Sequence, residues 1–344
     1  MDAAKGQAMT ERSLLDALAE PALVVFDRRV RTANGAARSV FGETIEGEGV
    51  RTAIRHPAAV ERLLGAAPDA ADEVELAGVG EAARRWMMQV APLSDGALFV
   101  RLVDRSEAHA AEKMRVDFVA NASHELRTPL ATLVGYAETL REHGGEIDRE
   151  TRERFTAIVH DEARRMQRLV EDLISLSRIE AERFSTPTDP LPLEALVEEA
   201  RESSRGMTRD RGSELIAEAE PGLPAVTGDR NEILQLLDNL IANALRYGRA
   251  GTPVRVRMRR DGEMVRLTVS DEGEGIAAKH IPRLTERFYR VDPSRSRSLG
   301  GTGLGLAIVK HIVERHRGRL HIESAIGRGT DVHVLLPAAE GGKG

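Results

Sequence analysis

The run Ser123-His124-Glu125-Leu126-Arg127-Thr128-Pro129 sets a nucleophile beside a carboxylate. His124 lies two residues from Ala122 and two from Leu126, about 200° around a helix from each. On a helix it therefore points away from the apolar stripe to which those residues belong, whereas a histidine that only packed would sit on the stripe. Glu125 follows directly, where a carboxylate can keep one ring nitrogen protonated and leave the other nucleophilic. Thr128 falls one turn on, on the same face. Pro129 removes an intrahelical hydrogen bond and predicts a kink just after the site. Position alone leaves a merely exposed histidine open; with these neighbours, acceptance of a phosphoryl group is the chemistry this set fits.

A second set lies downstream. Gln235, Asn239, Asn243 and Arg246 recur at steps of four, four and three, opposite Ile233, Leu237, Leu240 and Ala244. Such a stripe is usually only the solvated face of a helix, yet amides on successive turns are also oxygen ligands suited to Mg²⁺, with phosphates filling the other positions. Asp271-Glu272-Gly273-Glu274-Gly275 comes directly off a strand-like run. A carboxylate there can accept from an exocyclic amine while the glycines turn the chain, although a plain turn would account for a lone Gly-x-Gly. Gly300-Gly301-Thr302-Gly303-Leu304-Gly305 then opens a predicted helix, whose free amides and dipole favour phosphate. No Gly-Lys-Ser/Thr follows, so it is not a P-loop, and its place late in the chain does not suit a dinucleotide fold.

Three kinds of scaffold surround these sets. Residues 13–104 have a short, mixed period: a helix at 14–18, a hairpin from 22–26 and 30–32, a turn opened by Asn34-Gly35, and strands at 85–91 and 97–103. His56 could ligate a haem, but a lone histidine beside Pro57 is far more often a surface residue. Residues 105–184 change to a helical period, with Val119, Ala122, Leu126, Leu130, Leu133, Ala137 and Leu140 on one helix. After a break at Gly144-Gly145, Phe155, Val159, Met166, Leu169, Leu173 and Leu176 mark a second helix, which Asp148 can cap. Two helices with one apolar seam each cannot build a core alone, so a homodimeric four-helix bundle is expected. Residues 185–192 carry three prolines and read as a linker, and 190–338 alternate strands and helices as an α/β domain.

The length of 344 residues implies two or three domains. Aromatics at 3% and a formal net charge of −6 argue against direct nucleic-acid binding. The absence of cysteine removes disulfides, thiolate metal sites and cysteine redox sensing. No apolar run approaches the roughly 18 to 20 residues of a membrane span, and no signal peptide is visible. As written, the chain is expected in the cytoplasm.

Residues 118–130, Phe-Val-Ala-Asn-Ala-Ser-His-Glu-Leu-Arg-Thr-Pro-Leu, resemble the H box of HisKA-type two-component sensor histidine kinases. The resemblance implies that His124 is phosphorylated, that Glu125 is its general base, and that Thr128 positions water for dephosphorylating a response regulator. Asn239-Leu-Ile-Ala-Asn243-Ala-Leu-Arg246-Tyr247, Asp271-x-Gly273-x-Gly275, Arg287-Phe288-Tyr289-Arg290 and Gly301-x-Gly303-x-Gly305 resemble the N, G1, F and G2 boxes of the GHKL (Bergerat) α/β sandwich ATPase fold. That likeness implies ATP and Mg²⁺ as cofactors. Asp271 would recognise adenine, Asn243 with Asn239 would hold Mg²⁺, and Arg246 and Tyr247 would approach the nucleotide. Thr330 would lie near the base, and the segment from about Ile276 to Gly301 would form a lid, whose Arg295 and Arg297 either meet phosphate or make only a solvated basic loop.

The run Leu-Val-Val-Phe-Asp…Ala-Asn and the strand order of residues 13–104 resemble a PAS-type sensory domain, α/β with an antiparallel sheet. His280 to Asp292 is similar to phosphate-regulon sensor kinases of the PhoR type, which implies an OmpR/PhoB-like regulator. Those kinases usually carry membrane helices ahead of the PAS domain. None is visible here, so the sequence reads as a soluble relative or as lacking an upstream segment. Two rivals carry different expectations. A gyrase- or chaperone-like ATPase would lack the H box, and a silent dimeric scaffold would show damage in a nucleotide box; no such damage is visible.

Overall fold

The computed structural model describes residues 11–65, 72–80, 84–143, 145, 147–182, 185–292 and 301–339. The chain divides into two compact units, Met1–Val119 and Ala120–Gly344.

In the first unit, β1 (Ala22–Phe26) and β2 (Arg29–Ala33) form a hairpin. Asp27 and Arg28 at its tip both have positive φ, the twist-matched geometry of a two-residue hairpin turn. Asn34-Gly35, expected as a turn, instead starts helix α1 (Gly35–Phe41). The Asn34 side chain accepts from the Ala37 and Ala22 amides and donates to the carbonyls of Leu15, Leu18 and Glu20. A fully bonded buried amide makes a cap rather than a free turn. Short helices α2 (Val50–Ala53) and α3 (Pro57–Leu64) follow, then β3 (Asp72–Ala77), β4 (Arg85–Pro92) and β5 (Leu98–Asp104). The strands make one antiparallel sheet of order β2-β1-β5-β4-β3, with Leu23, Met88, Val100 and Leu102 in the core against Ile45, Ile54 and Leu63. His56 is the residue before α3, half-buried, with Nδ1 shielded and unbonded.

Helix α4 (Ser106–His143) runs unbroken through Pro129. The hydroxyls of Thr128 and Thr132 bond back to the carbonyls of His124 and Thr128, beside the step where proline supplies no amide. Helix α5 (Arg149–Ala181) is capped by Asp148, which accepts from the Thr151 amide. Phe184 and Gly144, at the expected end of this segment and at its break, lie outside the described residues.

The rest of the second unit is an α/β sandwich. Of the expected linker, Asp189–Leu191 is a strand, β6, paired with β8 (Val226–Gly228). Pro190 is tolerated there because the ribbon has only one partner strand. Helices α6 (Leu193–Ser203), α7 (Arg205–Arg211), α8 (Arg230–Tyr247) and α9 (Gly305–Arg315) accompany a sheet of order β11-β12-β10-β9-β7. Its strands are β7 (Leu215–Ala219), β9 (Val254–Asp261), β10 (Met264–Asp271), β11 (Arg319–Ser324) and β12 (Thr330–Pro337). Only β7, parallel to β9, departs from antiparallel pairing. Alternation along β9 and β10 buries Val254, Val256, Met258, Val265, Leu267 and Val269. Among the described residues, no helix is long and apolar enough to cross a membrane.

Candidate active site

Helix α8 begins at Asp229, whose carboxylate accepts from the amides of Asn231 and Glu232. Its apolar face, with Ile233, Leu236, Leu237, Leu240 and Ile241, is buried. The amphipathic division turns Gln235, Asn239, Asn243, Arg246 and Tyr247 toward a cavity of about 620 Å³. Asp271, Gly275 and Thr330 also line it, as do Gly301, Gly303 and Gly305. Gly273 does not line it. Its amide donates to the Asp271 carboxylate at 2.7 Å and so aims that group. Burial pushes the Asp271 carboxyl up to about 6, against the lowering effect of the Gly273 and Thr330 amides.

Two glycines here are required by geometry. Gly275 has φ 71°, and a Cβ would stand 1.9 Å from the Ala325 carbonyl oxygen. A Cβ on Gly305, the first residue of α9, would stand 2.7 Å from Asn239 Oδ1. The glycine loop therefore opens its helix against the amide stripe. Asn239 spends its NH₂ on the Gln235 carbonyl, 3.0 Å away, which leaves its oxygen for another partner. Amide oxygens, open helix amides and a carboxylate at the far wall suit a purine nucleotide whose phosphates carry Mg²⁺. The residues present thus fit both groups.

Helix α5 also reaches this cavity. Arg168, Glu171 and Asp172 line it, and Thr302 of the glycine loop donates to Asp172 at 2.7 Å. Burial raises the Asp172 pKa despite that bond and lowers that of the Arg246 guanidinium, with Arg168 adding repulsion to Arg246. Ser175 donates to Gln235 at 2.6 Å. Packing of Leu169, Leu176 and Ile179, all buried, accompanies these bonds.

His124 is exposed, as its position on the helix requires. Its neighbour Glu125 is not bonded to it. Arg290 donates to the Glu125 carboxylate at 2.9 and 3.3 Å, and Arg165 donates at 3.3 Å. Arg290 also lines the nucleotide cavity and donates to the Thr302 carbonyl at 2.8 Å. The structure thus joins Glu125 to a wall of the cavity while Thr128 stays on the open surface of α4. Arg165, Arg168 and Asp172 carried no signal in the sequence beyond being polar on an amphipathic helix. Arg290 lay within a quoted motif but had no role there. Arg295, Arg297 and Gly300 lie outside the described residues.

Residues 114–182 match the family of the His Kinase A (phospho-acceptor) domain, and residues 228–340 match the histidine kinase-, DNA gyrase B- and HSP90-like ATPase family. The chain belongs to the HisKA-type sensor histidine kinases. It is similar to the phosphate regulon sensor protein PhoR of Pseudomonas aeruginosa, 40% identical over 227 residues, covering 66% of this chain and 51% of the relative. The sensor histidine kinase WalK of Bacillus subtilis is 37% identical over 248 residues, covering 72% of this chain and 40% of the relative. The chain thus spans about half or less of the length of the curated relatives it matches. Among solved structures, the Acinetobacter baumannii histidine kinase AdeS aligns with TM-score 0.50 at 25% identity, over 63% of this chain and 98% of that one. The histidine kinase ThkA, solved in complex with response regulator protein TrrA, shares the fold with TM-score 0.52 at 19% identity, over 95% of this chain and 98% of that one.

Proposed function

We propose that this chain is an ATP-dependent protein histidine kinase acting in a two-component pathway. A ring nitrogen of His124 attacks the γ-phosphorus, the bond to the ADP oxygen breaks, and the imidazole proton passes to Glu125. The phosphoryl group then moves to an aspartate of a separate response regulator, and in the opposing phosphatase reaction Thr128 orients the water that takes it from that aspartate, releasing inorganic phosphate. Asp271 accepts from the adenine amine, and Thr330 lies near the base. Arg246 and Tyr247 approach the nucleotide, and the amides at Gly301, Gly303 and Gly305 receive phosphate. Asn239 and Asn243 would hold Mg²⁺, which supplies charge neutralisation on the phosphates. The reading is carried by one observation: Arg290, a wall of the cavity, is bonded to the residue beside His124. In this arrangement Glu125 is held by two arginines, so it serves as base only after Arg290 lets go. We read the conformation as a resting one.

Residues 13–104 are assigned to a PAS-like sensory domain, 105–184 to dimerisation and phosphotransfer, and 190–338 to ATP binding. The strand order of the first unit supports the first assignment. A cytoplasmic homodimer and an OmpR/PhoB-like regulator in phosphate signalling complete the proposal, the last supported by the similarity to PhoR.

The test is incubation with γ-labelled ATP and Mg²⁺, alongside His124→Ala. Acid-labile label on the parent and none on the variant is the expected result. No label despite nucleotide binding would replace the kinase with a scaffold.

A further inference from the structure

The sheet of the ATPase unit has a second face, and strand alternation makes it basic. On β9 the inward Val256 and Met258 are interleaved with outward Arg257 and Arg259. On β10 Arg266 and Thr268 point the same way, while their neighbours Leu267 and Val269 are buried. Register places Arg266 directly across from Arg259, and Thr268 across from both Arg257 and His333. Like charges directly opposed across strands are destabilising, and the Asp261 carboxylate on Arg266 offsets the opposition of Arg259 and Arg266 only in part.

Two of the charges, those of Arg257 and Arg259, are not neutralised from within. A concavity of about 400 Å³ is lined by Arg257, Arg259, Arg260 and Arg266, with Asp261 as its one carboxylate. Asp261 is already engaged by Arg266, at 2.5 and 3.0 Å. Among the described residues neither Arg257 nor Arg259 has a carboxylate within ion-pair distance. Arg257 donates only to the Ser270 hydroxyl, at 3.2 Å, and its Nε is shielded from water without a partner. A buried guanidinium N–H left unbonded is costly. At the floor, Thr268 is buried and its hydroxyl meets His333 Nδ1 at 2.9 Å. Burial lowers the His333 pKa, so that ring is neutral at pH 7.

The surroundings decide the size of the ligand. Arg255 is paired with Glu272 at 3.0 Å, the Arg260 amide donates to Glu220, and Glu323 stands beside His321 and His333. Acidic groups therefore ring the basic patch, on a chain of net charge −6. A long polyanion would meet those carboxylates, whereas a compact anion would not. The guanidinium groups of Arg257 and Arg259 on one strand, with the Nη1 that Arg266 keeps free of Asp261 on the next, suit a phosphate-class anion.

We propose that Arg257, Arg259 and Arg266 on the outer face of the sheet form a binding site for a small phosphate-class anion, separate from the nucleotide cavity. The two sites lie on opposite faces of the same strands: Val269 and Val332 line the nucleotide cavity, and Thr268 and His333 line the concavity.

The test titrates the full chain with inorganic phosphate and, separately, with glycerol 3-phosphate, at ionic strength held constant with chloride. Heat of binding and Tm are read for the parent, Arg257→Gln/Arg259→Gln and Asn243→Ala. One saturable site per chain is expected for at least one probe, at least tenfold weaker in the double arginine variant and unchanged in Asn243→Ala. Which probe binds tells a free anion from an esterified phosphate. Single Arg259→Gln should raise the Tm without anion, because it removes the opposed charge, and should lose the stabilisation by anion. A response equal in parent and arginine variant, or lost in Asn243→Ala, overturns the site. If the double variant does not fold, the arginine Nε–H resonances of the parent decide: selective shifts for Arg257 and Arg259 support the site, and uniform shifts overturn it.

Discussion

On the proposed function, Asp271 is good for binding and bad for stability. Its folded pKa of about 6 lies above the ordinary 3.8, because burial penalises the carboxylate. The folded state therefore binds the proton more tightly than the unfolded one, and stability declines as pH rises from about 3.8 to about 6. Above that range the charge is present and its cost is complete. Asp271→Asn should thus raise the Tm at pH 7.5 while weakening nucleotide binding, as differential scanning calorimetry and a fluorescent ATP analogue would report. In the parent, affinity for the analogue should fall as pH drops through about 6, where the acceptor is protonated, and this dependence should vanish in the variant. That Asp271 lines the cavity could be anticipated from its place at a strand end before glycines. The pKa shift could not, because desolvation depends on the walls that α8 and β12 bring up.

The elements themselves were largely legible, since β7, α6 and α8 follow from periodicity and capping. What escaped were β3, an edge strand rich in acidic residues, β6, where prolines read as linker, the short strand β8, and the short helices α2, α3 and α7. Nor did α5 announce that one of its faces would pack on α9, because no local pattern encodes a partner more than a hundred residues away. Arg315 of α9 fastens that contact. It is bonded to the carboxylates of Glu232 and Glu182, and to the carbonyls of Glu182 and Ser185 at 3.2 and 3.0 Å. Its side chain is only 7% exposed. Arg315→Ala strands Glu232 and should cost about 3–5 kcal/mol, read as a lower denaturation midpoint by circular dichroism. The double change Arg315→Met/Glu232→Leu should recover most of that loss, since it removes both charges. At the glycine loop, Gly305→Ala should weaken ATP-analogue binding at least tenfold in a titration, because its methyl group displaces Asn239.

At the scale of the whole molecule, a single chain leaves apolar side chains on the hairpin uncovered. Leu130 and Val134 on α4, and Val170 and Ile174 on α5, are exposed, Ile174 by 64%. The expected dimer gives these residues a partner, and Ile174→Asp should convert it to monomer in light scattering while leaving ATP-analogue binding intact. Another consequence follows from Arg290. One guanidinium is tied at once to the backbone of the glycine loop and to the acid next to His124. Any rearrangement of that loop on seating a triphosphate is felt at Glu125 through a single side chain. On the proposed function the chain would then keep time as well as place: fuel loaded first, the base freed second, and the unloaded protein idle without a separate inhibitor.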